Sequence, residues 1–273
     1  MTSAERSAGN NVPAMSESVF SRVVVGVDGS EASFEACRQA ARLADPSAPI
    51  EVVSVVHLAE AARAGFEAAR IADELALEAE VALEEAVRIL GERAEGRSVD
   101  GYVMASLLGE IERVDASVVV VGSHGHRRAI EILIGGVAGE LLHRAPCSVL
   151  VARPVTDPEG FPRSIVVGID GSSAADSALA AAEQLARRLE VPLRVVTALQ
   201  GKNVDLAHVH LRTPFVEVVD AHPVEALVTA SLATDIVVVG SRGLHGLAAL
   251  GSVSERVAHQ AKCSVLVVRT NHP

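Results

Sequence analysis

Aromatic residues are nearly missing from this sequence: it has no tryptophan, one tyrosine and five phenylalanines in 273 residues. Its hydrophobic share is nonetheless 49%, so its cores must be filled with Val, Leu, Ile and Ala. Such side chains suit parallel sheets covered by helices. Basic residues are scarce, with 24 Lys and Arg against 35 Asp and Glu and a net charge of −11. That balance argues against a nucleic-acid partner, although backbone amides and one metal ion can still hold a small anion. No apolar run approaches the roughly 20 residues of a membrane span. The start, MTSAERSAGNNVPAMSES, has no basic-then-apolar signal pattern. Residues 1–20 therefore read as a flexible tail, with the cytosol as the default location. The three cysteines, Cys37, Cys147 and Cys263, show no metal spacing and read as reduced, packed thiols.

What the chain does have is a duplication. Arg22-Val-Val-Val-Gly-Val-Asp-Gly-Ser30 aligns with Ser164-Ile-Val-Val-Gly-Ile-Asp-Gly-Ser172 at an offset of 142, taken from Gly26 to Gly168. Ala145-Pro-Cys-Ser-Val-Leu-Val-Ala-Arg153 aligns with Ala261-Lys-Cys-Ser-Val-Leu-Val-Val-Arg269 at an offset of 116. The second copy is thus shorter by 26 residues. These repeats place one domain at 21–154, a linker rich in Pro, Gly and acid at 155–163, and a second domain at 164–270.

Within the first copy, Val23 to Val27 reads as a buried strand and Ser33 to Ala44 as a helix. Ile50 to His57 reads as a second strand, and Ala59 to Arg93 as a long helix carried by Ile71, Leu75, Ala79, Ala82, Ala86 and Ile89. A third strand is expected over Val99 to Ala105, a short helix over Leu107 to Arg113, and last strands over Val118–Val121 and Ser148–Val151. Regular alternation of strand and helix gives α/β architecture: two tandem doubly wound, Rossmann-like domains, each on a parallel five-stranded sheet. In the second copy, 72 residues separate Gly168 from Gly240, against 96 between Gly26 and Gly122. The deletion falls where the long helix should be, because Gln200 to Val216 is short and interrupted by Gly201 and Pro214. His222-Pro223 then reads as a proline-started helix.

The densest chemistry lies in Ser117 to Arg153. A β-branched strand breaks at Gly122-Ser123-His124-Gly125, and a second glycine pair, Gly135-Gly136, precedes a helix. Bare backbone N–H groups beside a helix N-terminus make an anion cradle. Gly122-x2-Gly125-x9-Gly135, with its helix, resembles the G-x2-G-x9-G-[S/T] signature of the universal stress protein family. The resemblance covers nearly the whole chain. It implies an adenine nucleotide alpha hydrolase-like fold and a segment that wraps the ribose and triphosphate of ATP, with Mg2+ as a companion. One position departs: Gly136 stands where the family has Ser or Thr, so binding there is expected to be weaker rather than lost.

On this resemblance Asp28 contacts the nucleotide, although by its position alone it can equally cap the following helix. Val55 matches the residue that touches adenine, with ordinary strand packing as the alternative. His124 matches a backbone contact, and Gly122, Gly125, Gly135, Gly136 and Val137 complete the first-copy set. His126, Arg127 and Arg128 either pair with phosphates or form a solvated loop. The second-copy counterparts are Asp170, Ala198, Gly240, Arg242, Gly243, Gly251, Ser252 and Val253. There the hydroxyl is present, but only seven residues separate Gly243 from Gly251.

No Walker motif, Gly-x-Ser-x-Gly elbow or His-Glu-x-x-His is present, and His208-x-His210 stands without further ligands. The expectation is a binding protein, with at most slow incidental ATP hydrolysis. Two readings follow. One is a nucleotide-dependent regulator of a stress response, acting through an unknown regulatory partner. The other is a nucleotide-independent interaction module with degenerate sites. The apolar last strands of the copies would be edges if left alone, so they are expected to pair as an internal pseudo-dimer, with homodimerisation as a further option.

Overall fold

The computed structural model describes residues 18–58, 67–125, 134–200, 204, 206–241 and 251–269. Among the described residues ten strands join one sheet in the order β3-β2-β1-β4-β5-β10-β9-β6-β7-β8. The first half contributes β1 (Val23–Val27), β2 (Ile50–Val56), β3 (Ala94–Asp100), β4 (Val118–Gly122) and β5 (Ser148–Ala152). The second contributes β6 (Ile165–Gly168), β7 (Leu193–Ala198), β8 (Val216–Val219), β9 (Ile236–Gly240) and β10 (Ser264–Val268). Each half is parallel throughout and runs 3-2-1-4-5, so strand order reverses between β1 and β4, and between β6 and β9.

Helices cover both faces. On one lie α1 (Glu31–Leu43), α2 (Ala68–Leu90) and α5 (Ser173–Leu189), packed over a core that includes Leu43, Ile50, Val120, Leu179 and Ile236. On the other lie α3 (Val103–Arg113), α4 (Gly136–Arg144), α7 (Pro223–Ala230) and α8 (Ser252–Gln260), packed over Ile111, Val119, Leu141, Val237 and Val257. A short helix, α6 (Leu206–Arg212), buries a single side chain, Val209. It stands where the first half has the 23 residues of α2.

The halves meet where β5 and β10 pair antiparallel, with Val149, Leu150 and Val151 opposite Val267, Leu266 and Val265. All six are fully buried, each worth about 1.5–3 kcal/mol relative to an exposed edge. The expected pairing of the last strands is therefore present. Two arginines, Arg153 buried and Arg269 half-buried, bolt it from both sides. Arg153 donates from its guanidinium to the Cys263 carbonyl at 3.1 Å and to the Ala258 carbonyl at the end of α8. Arg269 donates to the Leu142 carbonyl of α4 at 2.7 Å. Main-chain N–H groups of the same two arginines donate to Ser264 Oγ and Ser148 Oγ. Arg188 of α5 also reaches across to the Ala44 carbonyl, beyond the end of α1, at 2.8 Å.

Several boundaries differ from the sequence reading. The third strand is Ala94–Asp100, not Val99 to Ala105, and the next helix begins at Val103 rather than Leu107. As the outermost strand, β3 leaves most side chains exposed and needs no apolar run, so hydropathy placed it too late. Phe20 belongs to the core rather than to the tail, with Asp45 N donating to its carbonyl. Phe161, in the linker, is buried as well. The three thiols are free and buried, and burial pushes each up to about 12.

Candidate functional site

In the second half, Asp170, Ala198, Gly240, Gly251, Ser252 and Val253 line one cavity of about 220 Å³. These are all the second-copy candidates that fall among the described residues, since Arg242 and Gly243 lie outside them. The cavity sits beyond the carboxyl ends of β6, β7 and β9, at the point where strand order reverses and ligands of open α/β sheets bind. Val196, Leu227, Val239 and Ala198 give it apolar walls, while Asp170, Ser172, Ser252 and Ser254 add polar groups. The first-turn N–H groups of α8 lack intrahelical partners by construction, and they start at this same end.

Both aspartates are placed by the same local turn. Asp28 Oδ1 accepts from the N–H and the hydroxyl of Ser30, and Asp170 Oδ1 accepts from Ser172 N at 3.1 Å. The caps themselves are the serines: Ser30 Oγ accepts from Ser33 N, and Ser172 Oγ from Ala175 N. Asp28 is thus not the helix cap. Each carboxylate is held at a strand tip by the serine two residues on, which is the N-cap of the following helix.

The glycines divide into two jobs. A Cβ on Gly122 would come within 2.6 Å of the Ala32 carbonyl, and one on Gly240 within 2.3 Å of the Ala174 carbonyl. Both glycines let the first turn of α1 or α5 seat directly on a strand tip, so their role is helix–strand packing before any ligand contact. Gly125 and Gly135 shape the loop. A Cβ on Gly125 would lie 2.4 Å from Asp28 Oδ2, which puts the loop against that aspartate. One on Gly135 would lie 3.3 Å from His124 Cα. Gly135 N also donates to the Ser123 carbonyl at 2.6 Å, drawing the two ends of the loop together. Around Gly136 a Cβ meets nothing within 4 Å.

The structure thus brings Asp28, Gly122, His124, Gly125 and Gly135 to one strand-tip site, with Val55 half-buried on β2 and Val137 partly exposed on α4. His126, Arg127 and Arg128 lie outside the described residues. His208 pairs with Asp176 at 3.3 Å, beside Arg212, and so ties α6 to α5. The sequence reading missed Pro223, Leu227 and Val204, which also line the cavity. Aligning Asp100 with Asp220 sets Val103 beside Pro223 and Leu107 beside Leu227.

A 3-2-1-4-5 sheet with an aspartate at the first strand tip, and a glycine-bounded loop leading into a helix, defines a doubly wound α/β protein. The chain matches the universal stress protein family over residues 20–153 and 207–269. A universal stress protein of Mycobacterium tuberculosis H37Rv is 32% identical over 294 aligned residues, covering 90% of this chain and 96% of that protein. Another from the same organism is 34% identical over 184 residues, covering 57% and 62%. The crystal structure of a universal stress protein from Archaeoglobus fulgidus superposes with a TM-score of 0.71 at 20% identity, over 92% of this chain and 97% of that one. The chain belongs to the universal stress protein family.

Proposed function

We propose that the protein binds an adenine nucleotide, ATP or a close relative, at the strand-tip clefts of its two halves, and that occupancy regulates a stress response. The observation that carries this reading is the convergence of Asp170, Ala198, Gly240, Gly251, Ser252 and Val253 on one cavity. Ala198 and Val196 would receive the base, Asp170 the ribose hydroxyls, and the first turn of α8 with Ser252 the phosphates. A cation such as Mg2+ would travel with the triphosphate. In the first half, Val55, Asp28 and the first turn of α4 correspond, with Gly136 offering no hydroxyl.

The cavity is a little smaller than the roughly 300 Å³ at which small-molecule clefts begin. It therefore fits the nucleoside part, with the phosphates extending toward the helix N-terminus. On this reading the cleft binds its nucleotide, with at most slow incidental ATP hydrolysis.

Calorimetry with ATP and Mg2+, together with release and identification of any nucleotide carried through purification, tests the reading. One or two sites per chain are expected, and no binding at millimolar nucleotide overturns it.

A further inference from the structure

Tyr102 is the only tyrosine in a chain without tryptophan. It is 69% exposed, an unusual setting for the largest aromatic side chain available to this protein. It occupies the N-cap position of α3, and its ring lies 4.9 Å from that of His57, tilted by 49°. Two hydrogen bonds hold this pair in place. Gly101 N donates to the Val56 carbonyl at 3.0 Å, and Leu58 N donates to Asp100 Oδ1 at 3.2 Å. The segment carrying His57 is thereby stitched to the segment carrying Tyr102. Ser106 N, donating to the Tyr102 carbonyl at 2.9 Å, fixes the backbone from the helix side.

The second half shows what space this ledge borders. Tyr102 and Val103 correspond to His222 and Pro223, and Leu107 to Leu227. The equivalence is spatial as well: a Cβ on Gly26 would meet Leu107, and one on Gly168 would meet Leu227. Pro223 and Leu227 line the second-half cavity next to Ala198. Val103, Leu107 and Val55 therefore border the equivalent first-half space, and Tyr102 stands at its rim. Val103 is 38% exposed and Val137, on α4, 37%; Val137 corresponds to Val253, which lines the second-half cavity.

Resting on the nucleotide reading above, we infer that Tyr102 is the stacking platform for the nucleobase in the first-half cleft, making that cleft selective for a purine over a bare polyphosphate. The second half carries the smaller imidazole of His222 in this place, beside the apolar cavity lined by Pro223 and Leu227. Because Tyr102 is the sole tyrosine, its emission reports on the first-half cleft alone.

The test is titration of the intact chain with MgATP and with inorganic triphosphate. Tyrosine emission, corrected for nucleotide absorbance, is followed alongside equilibrium dialysis. ATP is expected to quench the emission, and triphosphate to leave it unchanged. Tyr102→Ala should weaken the first-half site about ten-fold, with Tyr102→Phe restoring it. Both variants should fold, since the side chain is mostly exposed.

ATP bound in dialysis with unaltered tyrosine emission overturns the inference while the nucleotide reading stands. Equal quenching by triphosphate overturns it as well, because the change would then come from the phosphate loop. Equal affinity of wild type and Tyr102→Ala does the same. No ATP bound at all removes both readings together.

Discussion

The two halves of the molecule differ most at their outer edges and least at their seam. On the outer edge of the first half, the 23-residue α2 covers a seven-residue β3. On the second, a seven-residue α6 stands beside a four-residue β8, with Phe215 and Leu211 almost fully exposed. At the seam, by contrast, each half presents a five-residue strand and an arginine that enters the other half's helix end. A repeat of this kind tolerates loss where an element closes only its own sheet. It does not tolerate loss where an element completes its neighbour.

The seam offers the largest effect with which to break that comparison. Arg153→Ala removes the donor to the Cys263 carbonyl and to the Ala258 carbonyl of α8 and should cost about 3 kcal/mol in urea unfolding. Arg269→Ala, with one carbonyl bond, should cost less. Equal, near-zero costs would mean that the apolar strands alone hold the halves together.

Next in size is the seating of helices on strand tips, where the halves should behave alike. Gly122→Val and Gly240→Val each force a side chain into a backbone carbonyl, at about 2–3 kcal/mol. A thermal shift in only one variant would show that the two contacts are not equivalent.

The thiols also treat the halves alike, since Cys147 and Cys263 are equivalent and burial raises both, with Cys37, from 9.0 to about 12. Between those values the unfolded thiol ionises while the folded one stays protonated, so the unfolded state holds fewer protons. Stability is therefore intact below pH 9 and falls as pH rises, with a limiting slope of about 1.4 kcal/mol per pH unit for each thiol. Urea midpoints across that range measure it, and a flat curve would contradict it.

Smallest is the hydroxyl that distinguishes the phosphate ends. Gly136→Ser enters open space and should tighten nucleotide binding in the first half about five-fold. Ser252→Gly should loosen the second half by a similar factor in the same calorimetric assay.

Much of the fold was legible because parallel strands buried on both faces read as unbroken apolar runs, as Val118–Gly122 and Ser148–Ala152 do. The outermost strand was not, because Glu95 and Arg97 face solvent and carry no pattern. Asp28 and Asp170 could be placed at strand tips, but the capping could not be divided between each aspartate and its serine. That division depends on which side-chain oxygen meets which N–H. The glycine spacing located the loop, while the packing role of Gly122 and Gly240 emerged only from how closely the helices approach. Complete spacing drew attention to the first copy, yet the described cavity lies in the second, where Ala198 leaves more room than Val55.

The direction of one strand pair has a last consequence. Since β5 and β10 run oppositely, the carboxyl tips of the first half point to one pole of the sheet and those of the second half to the other. The two clefts are separated by at least a strand's length, about 17 Å for five residues. Ligands seated in them cannot touch. The protein presents two independent poles on one continuous sheet, fixed by a covalent chain and so indifferent to dilution.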